Sequence, residues 1–368
     1  MSRILLVTKT IDEEPRGGRQ MLCKLNRDCL KDIFKSDFHI LELESRRPRG
    51  AADFLFAFRG YIDGVTEQAV DDAARRIRDE KIDCVFIDGS NLGEIAASLR
   101  RRGVAVKVVT FFHNVEARFF LGALRDSGSL RALAVLTANY LAERKAVRDS
   151  DAIIAMTEHD SALLRKLYGR GATAISAMAL EDKYHSPTPT PIANATPSHA
   201  DRFIIFVGGA FYANRSGIEW FIENVAPRIG IRTIVVGRGL ESLRRSGIAD
   251  NKVEVIGAVD DLAPWYAEAH CVIAPIFDGS GMKTKVAEAL MFGKKVVGTP
   301  EAFRGYEADV FKAGWICRTA DEFVATIQNV CSTNIESFNS EARALFERTY
   351  SRAAARSRYA TILTQLTT

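Results

Sequence analysis

Short apolar segments alternate with amphipathic segments along almost the whole chain. Because the apolar segments are rich in Val and Ile and are separated by helical patterns, they predict parallel sheets covered on both faces. The predicted strands are 4–8, 84–87, 104–112, 152–156, 203–207, 233–236, 252–256, 271–274 and 295–298. The pattern therefore predicts an α/β protein with doubly wound sheets, whose ligands bind where the strands end.

One segment interrupts this alternation. Residues 185–201, HSPTPTPIANATPSHAD, hold four of the ten prolines and show no hydrophobic period, so they predict an inter-domain linker. A chain of 368 residues also exceeds one comfortable core. We expect an N-terminal Rossmann-like domain at 1–184, a second at 202–345, and a C-terminal helix at 346–368 that packs back across the domains.

Composition limits the class of protein. Hydrophobic residues make up 47% and charged residues 26%, which excludes a disordered chain, and a net charge of +4 is too mild to indicate nucleic-acid binding. The six cysteines show no zinc-type spacing and predict reduced thiols, without a metal site. The N-terminus lacks signal-peptide character, and no apolar run approaches the roughly 20 residues of a membrane span. We expect a cytoplasmic protein, at most attached to the inner face of the cytoplasmic membrane.

The segment 277–299, FDGSGMKTKVAEALMFGKKVVGT, leads from a glycine turn into a helix and then into an apolar strand. Bare glycine backbone, a helix N-terminus and the ammonium groups of Lys283 and Lys285 together suit a phosphate group. Glu288, further along the helix, suits the hydroxyls of a ribose. Lys285 and Glu288 are also placed for an ordinary solvated ion pair, and this segment alone leaves both interpretations open.

Glycines or polar residues follow other predicted strands. Gly17 and Gly18 open a helix, where bare N–H groups suit a diphosphate, although a plain turn fits equally. The glycine turn at 208–215 is similar, with a cation available. The sequence Val236-Gly237-Arg238-Gly239 lacks a third glycine and is interpreted as a backbone turn.

The polar segment 113–116 follows the strand that ends at residue 112. Polar groups at the end of an apolar strand are costly unless they bind a ligand or cap a helix. Asn114 as an N-cap with Glu116 in the first turn would explain two of these residues and leave His113 unexplained, which favours a functional site.

Several of these segments together resemble a known enzyme family. The stretches FVGGAFYANRSGIEWF and VEVIGAVDDLAPWYAEAHCVIAPIFDGSGMKTKVAEALMFGKKVVGTPEAFRGYE are similar to the nucleotide-sugar half of a GT-B glycosyltransferase, and more narrowly to the large retaining family 4. The N-terminal half agrees through its Gly-Gly-Arg turn and the segment FFHNVEARFF. The resemblance implies two Rossmann-like domains that face a central cleft.

The resemblance also implies an activity and a set of donor-site residues. The enzyme would move a sugar from a nucleoside diphosphate sugar to an acceptor hydroxyl with retention. Residues expected to bind the donor are Gly17, Gly18, Gly209, Arg215, Ala258, Val259, Ser280, Gly281, Lys283, Lys285 and Glu288. Among these, Glu288 would hold the ribose and the backbone at 258–259 would receive the base.

The remaining candidates concern the chemistry and the acceptor. His113 would contact the donor sugar near its anomeric centre. Asp88, at another strand end, is assigned to orienting the acceptor, although capping of the next helix fits it equally. Arg19, Asn114 and Glu116 are expected on the acceptor side.

The chain also departs from the family pattern. Many members carry a Glu-x7-Glu pair, and here the first position is Ser280, with Asp278 as a substitute. Where many members carry an arginine, this chain has Gly209, so Arg215 or the two lysines would have to supply the charge. No acidic metal motif is evident, so we expect metal-independent transfer, in which cations and helix N-termini stabilise the leaving diphosphate.

The expected acceptor is a glycan or a lipid-linked sugar of bacterial surface polysaccharide assembly. Basic residues at 46–49 precede the aromatic segment 54–61, which fits either contact with an anionic membrane or a core-facing helix behind a charged loop. Two alternatives to a transferase stay open, a nucleotide-sugar 2-epimerase and a non-catalytic scaffold that binds sugar nucleotides.

Overall fold

The computed structural model describes residues 3–13, 17–44, 51–184, 203–245, 252–332 and 338–367, without the side chains of 51–54, 244–245 and 367. The predicted linker and the arginines at 46, 47 and 49 lie outside these residues. The chain divides into two compact units. The first unit is Met1–Leu180 with Arg352–Thr368, and the second is Glu181–Ser351.

The described part of the first unit is built on a six-stranded parallel sheet with strand order β2-β1-β3-β4-β5-β6. Its strands are β1 (Ile4–Lys9), β2 (Phe38–Leu43), β3 (Cys84–Asp88), β4 (Lys107–Phe112), β5 (Ala152–Ala155) and β6 (Ala174–Ile175). Its helices up to residue 180 are α1 (Gly18–Phe34), α2 (Ala51–Phe58), α3 (Glu67–Asp79), α4 (Gly93–Arg101), α5 (Glu116–Ser127), α6 (Leu130–Asp149) and α7 (Glu158–Tyr168).

The described part of the second unit repeats this architecture, with parallel strands in the order β12-β11-β10-β7-β8-β9. Its strands are β7 (Phe203–Val207), β8 (Arg232–Val236), β9 (Val253–Gly257), β10 (Cys271–Ala274), β11 (Val296–Gly298) and β12 (Gly314–Ile316). Its helices are α8 (Tyr212–Asn224), α9 (Ser242–Arg245), α10 (Ala263–Glu268), α11 (Thr284–Met291), α12 (Val310–Ala313), α13 (Ala320–Ser332) and α14 (Ser340–Leu345). Two Rossmann-like sheets of this kind confirm the predicted fold class.

Each sheet has a point where consecutive strands diverge to opposite sides. In the first unit this point lies between β1 and β3, and in the second it lies between β7 and β10. Loops that leave such neighbouring strands form a crevice, which is where open α/β sheets bind ligands. The topology therefore selects the segments after β1, β3, β7 and β10 as candidate sites.

The predicted C-terminal helix is interrupted. A π-helical turn at Phe346–Tyr350 and the extended Ser351 separate α14 from α15 (Arg352–Thr367). Residues before and after this break belong to different units. Helix α15 packs on α1 in the first unit, whereas Tyr350 donates a hydrogen bond to Asp309 in the second unit, at 2.7 Å. A single helix from 346 was therefore wrong.

No helix in the described residues combines the length and apolar character that a membrane span requires.

Candidate functional site

The loop after β10 is shaped by its glycines. Gly279 has φ 139° and Gly281 has φ 64°, conformations that side-chain-bearing residues rarely adopt. The N-cap residue of α11 is Lys283, whose Nζ donates to the Gly281 carbonyl at 2.9 Å and pairs with Glu301 at 2.9 Å. Lys283 therefore braces the turn, and its charge is already partly balanced.

Lys285 lies one residue inside α11 and is buried. Its Nζ donates to Asn214 Oδ1 at 2.8 Å and stands 4.1 Å from the ring centroid of Phe206. Burial lowers the pKa of Lys285 to about 7, with Glu288 opposing the shift. A Cβ at Gly208 would stand 2.9 Å from Asn214 Nδ2 and 3.2 Å from Lys285 Nζ, so glycine makes this contact possible.

Glu288 faces a different partner. Tyr266 of α10 donates its hydroxyl to Glu288 Oε2 at 2.9 Å, and the Tyr266 ring stacks on Phe292 at 5.1 Å. Burial raises the pKa of Glu288, although the Tyr266 hydrogen bond and the charge of Lys285 oppose this. The alternative of an ordinary solvated ion pair between Lys285 and Glu288 is wrong, because each group is bound elsewhere and Lys285 is buried.

The other donor candidates of the second unit lie around this core. The Gly209 carbonyl accepts from Asn214 at 2.9 Å, which draws the turn after β7 towards Lys285. Ser280 lies in the same turn, and its carbonyl oxygen accepts a hydrogen bond from Lys283 Nζ at 3.5 Å. Ala258 and Val259 follow β9, with Ala258 exposed.

The charged substitutes for the missing family residues are engaged. Arg215 pairs with Glu219 one turn along α8, at 2.8 Å, and nearly half of its side chain is exposed. Asp278 accepts from the Tyr212 hydroxyl at 3.3 Å. Lys285 is therefore the cation that the structure places deepest among these candidates.

In the first unit, Asp88 is buried at the end of β3 and surrounded by donors. His113 Nε2 lies 2.7 Å and Asn26 Nδ2 2.8 Å from Asp88 Oδ1, while Thr8 Oγ1 donates to Oδ2 at 2.9 Å. The thiol of Cys23 adds a further hydrogen bond. Burial alone would raise the pKa of Asp88, but His113 and these hydrogen bonds outweigh it and lower the pKa to about 2.

This network excludes one alternative. The short helical turn Ser90–Leu92 has Gly89 as its N-cap residue and no side-chain cap, so Asp88 does not act as a helix cap. The carboxylate instead joins two strand ends, because His113 follows β4 and Asp88 ends β3.

The segment after His113 is also held in an unexpected way. Val115, not Asn114, is the N-cap residue of α5, so the capping interpretation of Asn114 is wrong. Glu143 of α6 accepts from the backbone N–H of Glu116 at 2.8 Å and of Ala117 at 3.2 Å, so a carboxylate from another helix satisfies these donors.

Glu116 is a buried carboxyl group beside this cap. Burial and the nearby Glu143 carboxylate raise the pKa of Glu116 to about 7, against the opposing charge of Arg19. A carboxyl group that titrates near neutral pH can exchange a proton with a substrate.

Gly17 and Arg19 lie at the start of α1. Gly17 is the N-cap residue with φ 92°, a backbone conformation that favours glycine, and Gly18 begins the helix. Arg19 donates to Asn91 Oδ1 at 2.6 Å and pairs with Asp63 at 3.4 Å. Asp63 also binds Lys9 at 3.0 Å and accepts from Asn91, so Arg19 belongs to a polar cluster at this strand edge.

Comparison with known proteins identifies the architecture. Residues 201–333 match the family model described as "Glycosyl transferases group 1". The second unit carries a group 1 glycosyltransferase domain. The prediction of a GT-B glycosyltransferase, and of a transferase enzyme, is confirmed. No curated protein matches the chain by sequence.

The similarity to solved structures covers nearly the whole chain. Sucrose-phosphate synthase from Thermosynechococcus elongatus has a TM-score of 0.72 at 14% identity and covers 100% of this chain and 99% of its own. HepE of Anabaena, solved with UDP, has a TM-score of 0.64 at 16% identity, over 99% and 100% of the two chains. WaaG, a glycosyltransferase of lipopolysaccharide biosynthesis, gives 0.63 at 14% identity, over 98% and 99%.

The described residues of the glycosyltransferase contain one group of three side chains with metal-ligand atoms, Cys23, Asp88 and His113, whose atoms lie within 4.8 Å of one another. The 2.7 Å between Asp88 and His113 Nε2 is a direct hydrogen bond. It places a proton on Nε2, and a protonated ring nitrogen is not a metal ligand. The group as it stands is a hydrogen-bond network.

Several residues of these clusters were not predicted from the sequence. Tyr266 and Asn214 hold Glu288 and Lys285, and Glu143 caps α5. Asp63 lies in a loop with φ 53° and no motif around it. Only Glu143 left a signal in the sequence, because it is a glutamate on the buried face of α6.

Proposed function

We propose that this glycosyltransferase moves a sugar from a nucleoside diphosphate sugar to an acceptor hydroxyl with retention of configuration. The observation that carries the proposal is the geometry of α11, in which the buried ammonium of Lys285 and the carboxylate of Glu288 follow the Gly279–Gly281 turn. An anion at the turn would pair with Lys285, and the hydroxyls of a ribose would donate hydrogen bonds to Glu288.

The solved relatives support this class of donor. HepE was solved with UDP and with UDP-glucose, so a protein of the same fold binds a uridine nucleotide. In this chain, Gly17, Gly18 and Gly209 would approach the diphosphate with bare backbone. Ala258 and Val259 would receive the base.

We propose transfer without a metal ion. In this mechanism Lys285, the turn at 279–281 and the helix N-terminus stabilise the negative charge of the leaving diphosphate. The leaving phosphate itself takes part in deprotonating the acceptor. We assign Arg19, Asn114 and Glu116 to the acceptor side. Burial raises the pKa of Glu116 to about 7.

The proposed acceptor is a glycan or lipid-linked sugar in the assembly of a bacterial surface polysaccharide. Two proteins that share the fold support this: WaaB is a lipopolysaccharide outer core galactosyltransferase, and WaaG is a glycosyltransferase involved in lipopolysaccharide biosynthesis. Helix α2 exposes Leu55, Phe56 and Phe58, which favours membrane contact over the alternative of a core-facing helix. The proposed location is the cytoplasm, at the inner face of the cytoplasmic membrane.

The first test is nucleotide binding, measured by thermal shift with UDP, GDP, ADP, TDP and CMP. One diphosphate should stabilise the wild type, and Glu288→Ala should lose most of that stabilisation because the ribose hydroxyls lose their acceptor. Glu223→Ala, on the exposed side of α8, is the matched control and should behave as wild type.

The outcomes separate the alternatives. If no nucleotide raises the melting temperature, the proposed donor site is wrong. Binding followed by turnover only with an acceptor supports a transferase. Release of free sugar and nucleotide without any acceptor indicates the epimerase, and binding without turnover indicates the scaffold.

A further inference from the structure

The hydrogen-bonding capacity of Asp88 is taken up by its neighbours. His113 and Asn26 lie within hydrogen-bond distance of Oδ1, and Thr8 donates to Oδ2, all from within the first unit. A carboxylate saturated in this way acts on its neighbours rather than on a ligand. The earlier assignment of Asp88 to orienting the acceptor therefore needs a different mechanism.

That mechanism follows from the imidazole of His113. Because the Asp88 carboxylate accepts a hydrogen bond from His113 at Nε2, Nε2 carries a proton, and in the Nε2–H tautomer Nδ1 keeps its lone pair. Nδ1 is buried and has no hydrogen-bond partner among the described residues. A buried polar atom without a partner is costly, so an acceptor atom in this position points to a ligand that donates to it.

We propose that Asp88 is a positioning residue, which holds His113 as the Nε2–H tautomer so that Nδ1 accepts a hydrogen bond from a substrate hydroxyl. The inference deepens the proposed function and rests on it. A phosphate oxygen offers only lone pairs and would repel Nδ1, whereas a sugar hydroxyl donates. His113 thus selects the sugar part of a substrate and not its diphosphate.

A second layer of contacts orients the network. The Tyr359 hydroxyl of α15 donates to Asn26 Oδ1 at 2.5 Å, which turns the amide nitrogen of Asn26 towards Asp88. The Tyr359 ring also packs edge-on against Phe111, whose ring meets the imidazole of His113 at 5.3 Å. Helix α15 therefore helps to position a side chain that lies at the end of β4.

The tautomer can be measured directly on the full-length protein by NMR with ¹⁵N-labelled histidine. The spectrum of His113→Gln assigns the signal, since one of the six histidines disappears. In the wild type, Nε2 should carry the proton and Nδ1 should be unprotonated. Asp88→Asn should shift His113 to the other tautomer or to a mixture, because the amide can donate to Nε2.

Kinetics give a second measurement. Asp88→Asn should lower kcat by about 10²- to 10⁴-fold, in line with other enzymes in which a carboxylate sets a histidine tautomer. The thermal shift by nucleotide should persist, since Lys285 and Glu288 lie in the second unit. Tyr359→Phe should give a smaller loss and a partial tautomer mixture.

Asp160→Asn is the matched control, since this buried carboxylate of α7 accepts from Thr157, the N-cap residue of that helix, and makes none of the hydrogen bonds described for Asp88. It should change neither the tautomer nor kcat.

A proton on Nδ1 in the wild type, or an unchanged tautomer and kcat in Asp88→Asn, would overturn the proposal. If Asp88→Asn does not fold, the Tyr359→Phe spectrum decides. The NMR result stands even if no transfer is detected, so failure of the proposed function is distinguishable.

Discussion

At the scale of single residues, burial of Lys285 links proton binding to ligand binding. The ordinary pKa of a lysine is 10.5, and burial lowers that of Lys285 to about 7. An anion at the glycine turn would favour the ammonium form, so donor binding above pH 7 should be accompanied by proton uptake. The affinity for a nucleoside diphosphate should therefore fall as the pH rises above about 7.

Replacement of Lys285 by methionine tests this coupling. Between pH 7 and 10.5 the unfolded lysine holds a proton that the folded one has lost, so this residue makes stability rise with pH in that window. Lys285→Met should remove that rise, lose diphosphate binding, and stabilise the unliganded protein at pH 6 by on the order of 1 to 4 kcal/mol. Denaturant unfolding at pH 6, 7.5 and 9 measures the effect.

Lys312→Met is the control, because this lysine of α12 is exposed. It should leave both the pH slope and nucleotide binding unchanged. A Lys285→Met variant that still binds diphosphate with the wild-type pH dependence would contradict the role given to Lys285.

Individual candidate residues can be selected from the sequence where they follow a strand and do not fit the local pattern. His113 was selected because capping did not explain it, and Glu288 and Lys285 because they follow a glycine turn. Asp63 and Asn91 could not be found in this way, since they meet Arg19 only through contacts distant in the chain.

At the scale of elements, the position of α8 depends on a glycine, Gly217, at its contact with the loop after β10. A Cβ at Gly217 would lie 1.8 Å from the carbonyl oxygen of Pro275, the first residue after β10. Helix α8 therefore packs directly on the backbone that leads into the glycine turn. Any residue larger than glycine must move the helix or the loop.

Gly217→Ala should destabilise the protein by about 1 to 3 kcal/mol through this clash and weaken nucleotide binding by displacing the loop. Gly230→Ala is the matched control, because a Cβ there has nothing within 4 Å. Chemical denaturation and the thermal shift with nucleotide would measure both variants. Equal stability of the two alanine variants would show that the predicted clash is relieved without cost.

The buried strands and the edge strand β9 were predicted, whereas the edge strands β2, β6 and β12 were missed. The central strands are continuous apolar runs, and their positions agree with the structure to within a few residues. Strand β2, FHILEL, was missed because it lies at a sheet edge, is only half-buried and carries polar residues. Strands β6 and β12 were missed because they have two and three residues, too few for a periodic signal.

At the scale of the whole molecule, the surface of α2 is unusually apolar. Leu55, Phe56 and Phe58 are 69%, 44% and 38% exposed. The arginines at 46, 47 and 49 precede this helix in the sequence, so anionic lipid would meet charge and apolar side chains together.

Sedimentation with vesicles of phosphatidylcholine and phosphatidylglycerol tests this surface. The wild type should bind more weakly at high salt, and both the triple change of Arg46, Arg47 and Arg49 to Glu and the change Phe56→Ser should reduce binding at least severalfold. Phe311→Ser removes a still more exposed phenylalanine from the second unit and should have no effect. Unchanged binding in the triple variant would eliminate membrane contact through this segment.

The division of the chain between the units has a consequence for its biosynthesis. Helix α15 completes the first unit, yet it follows the entire second unit in the sequence. While the nascent chain is on the ribosome, the second unit can fold as soon as it emerges, whereas Asn26 and Phe111 must wait for Tyr359. Premature termination before α15 would therefore leave the first unit incomplete, although its other elements are made before the second unit.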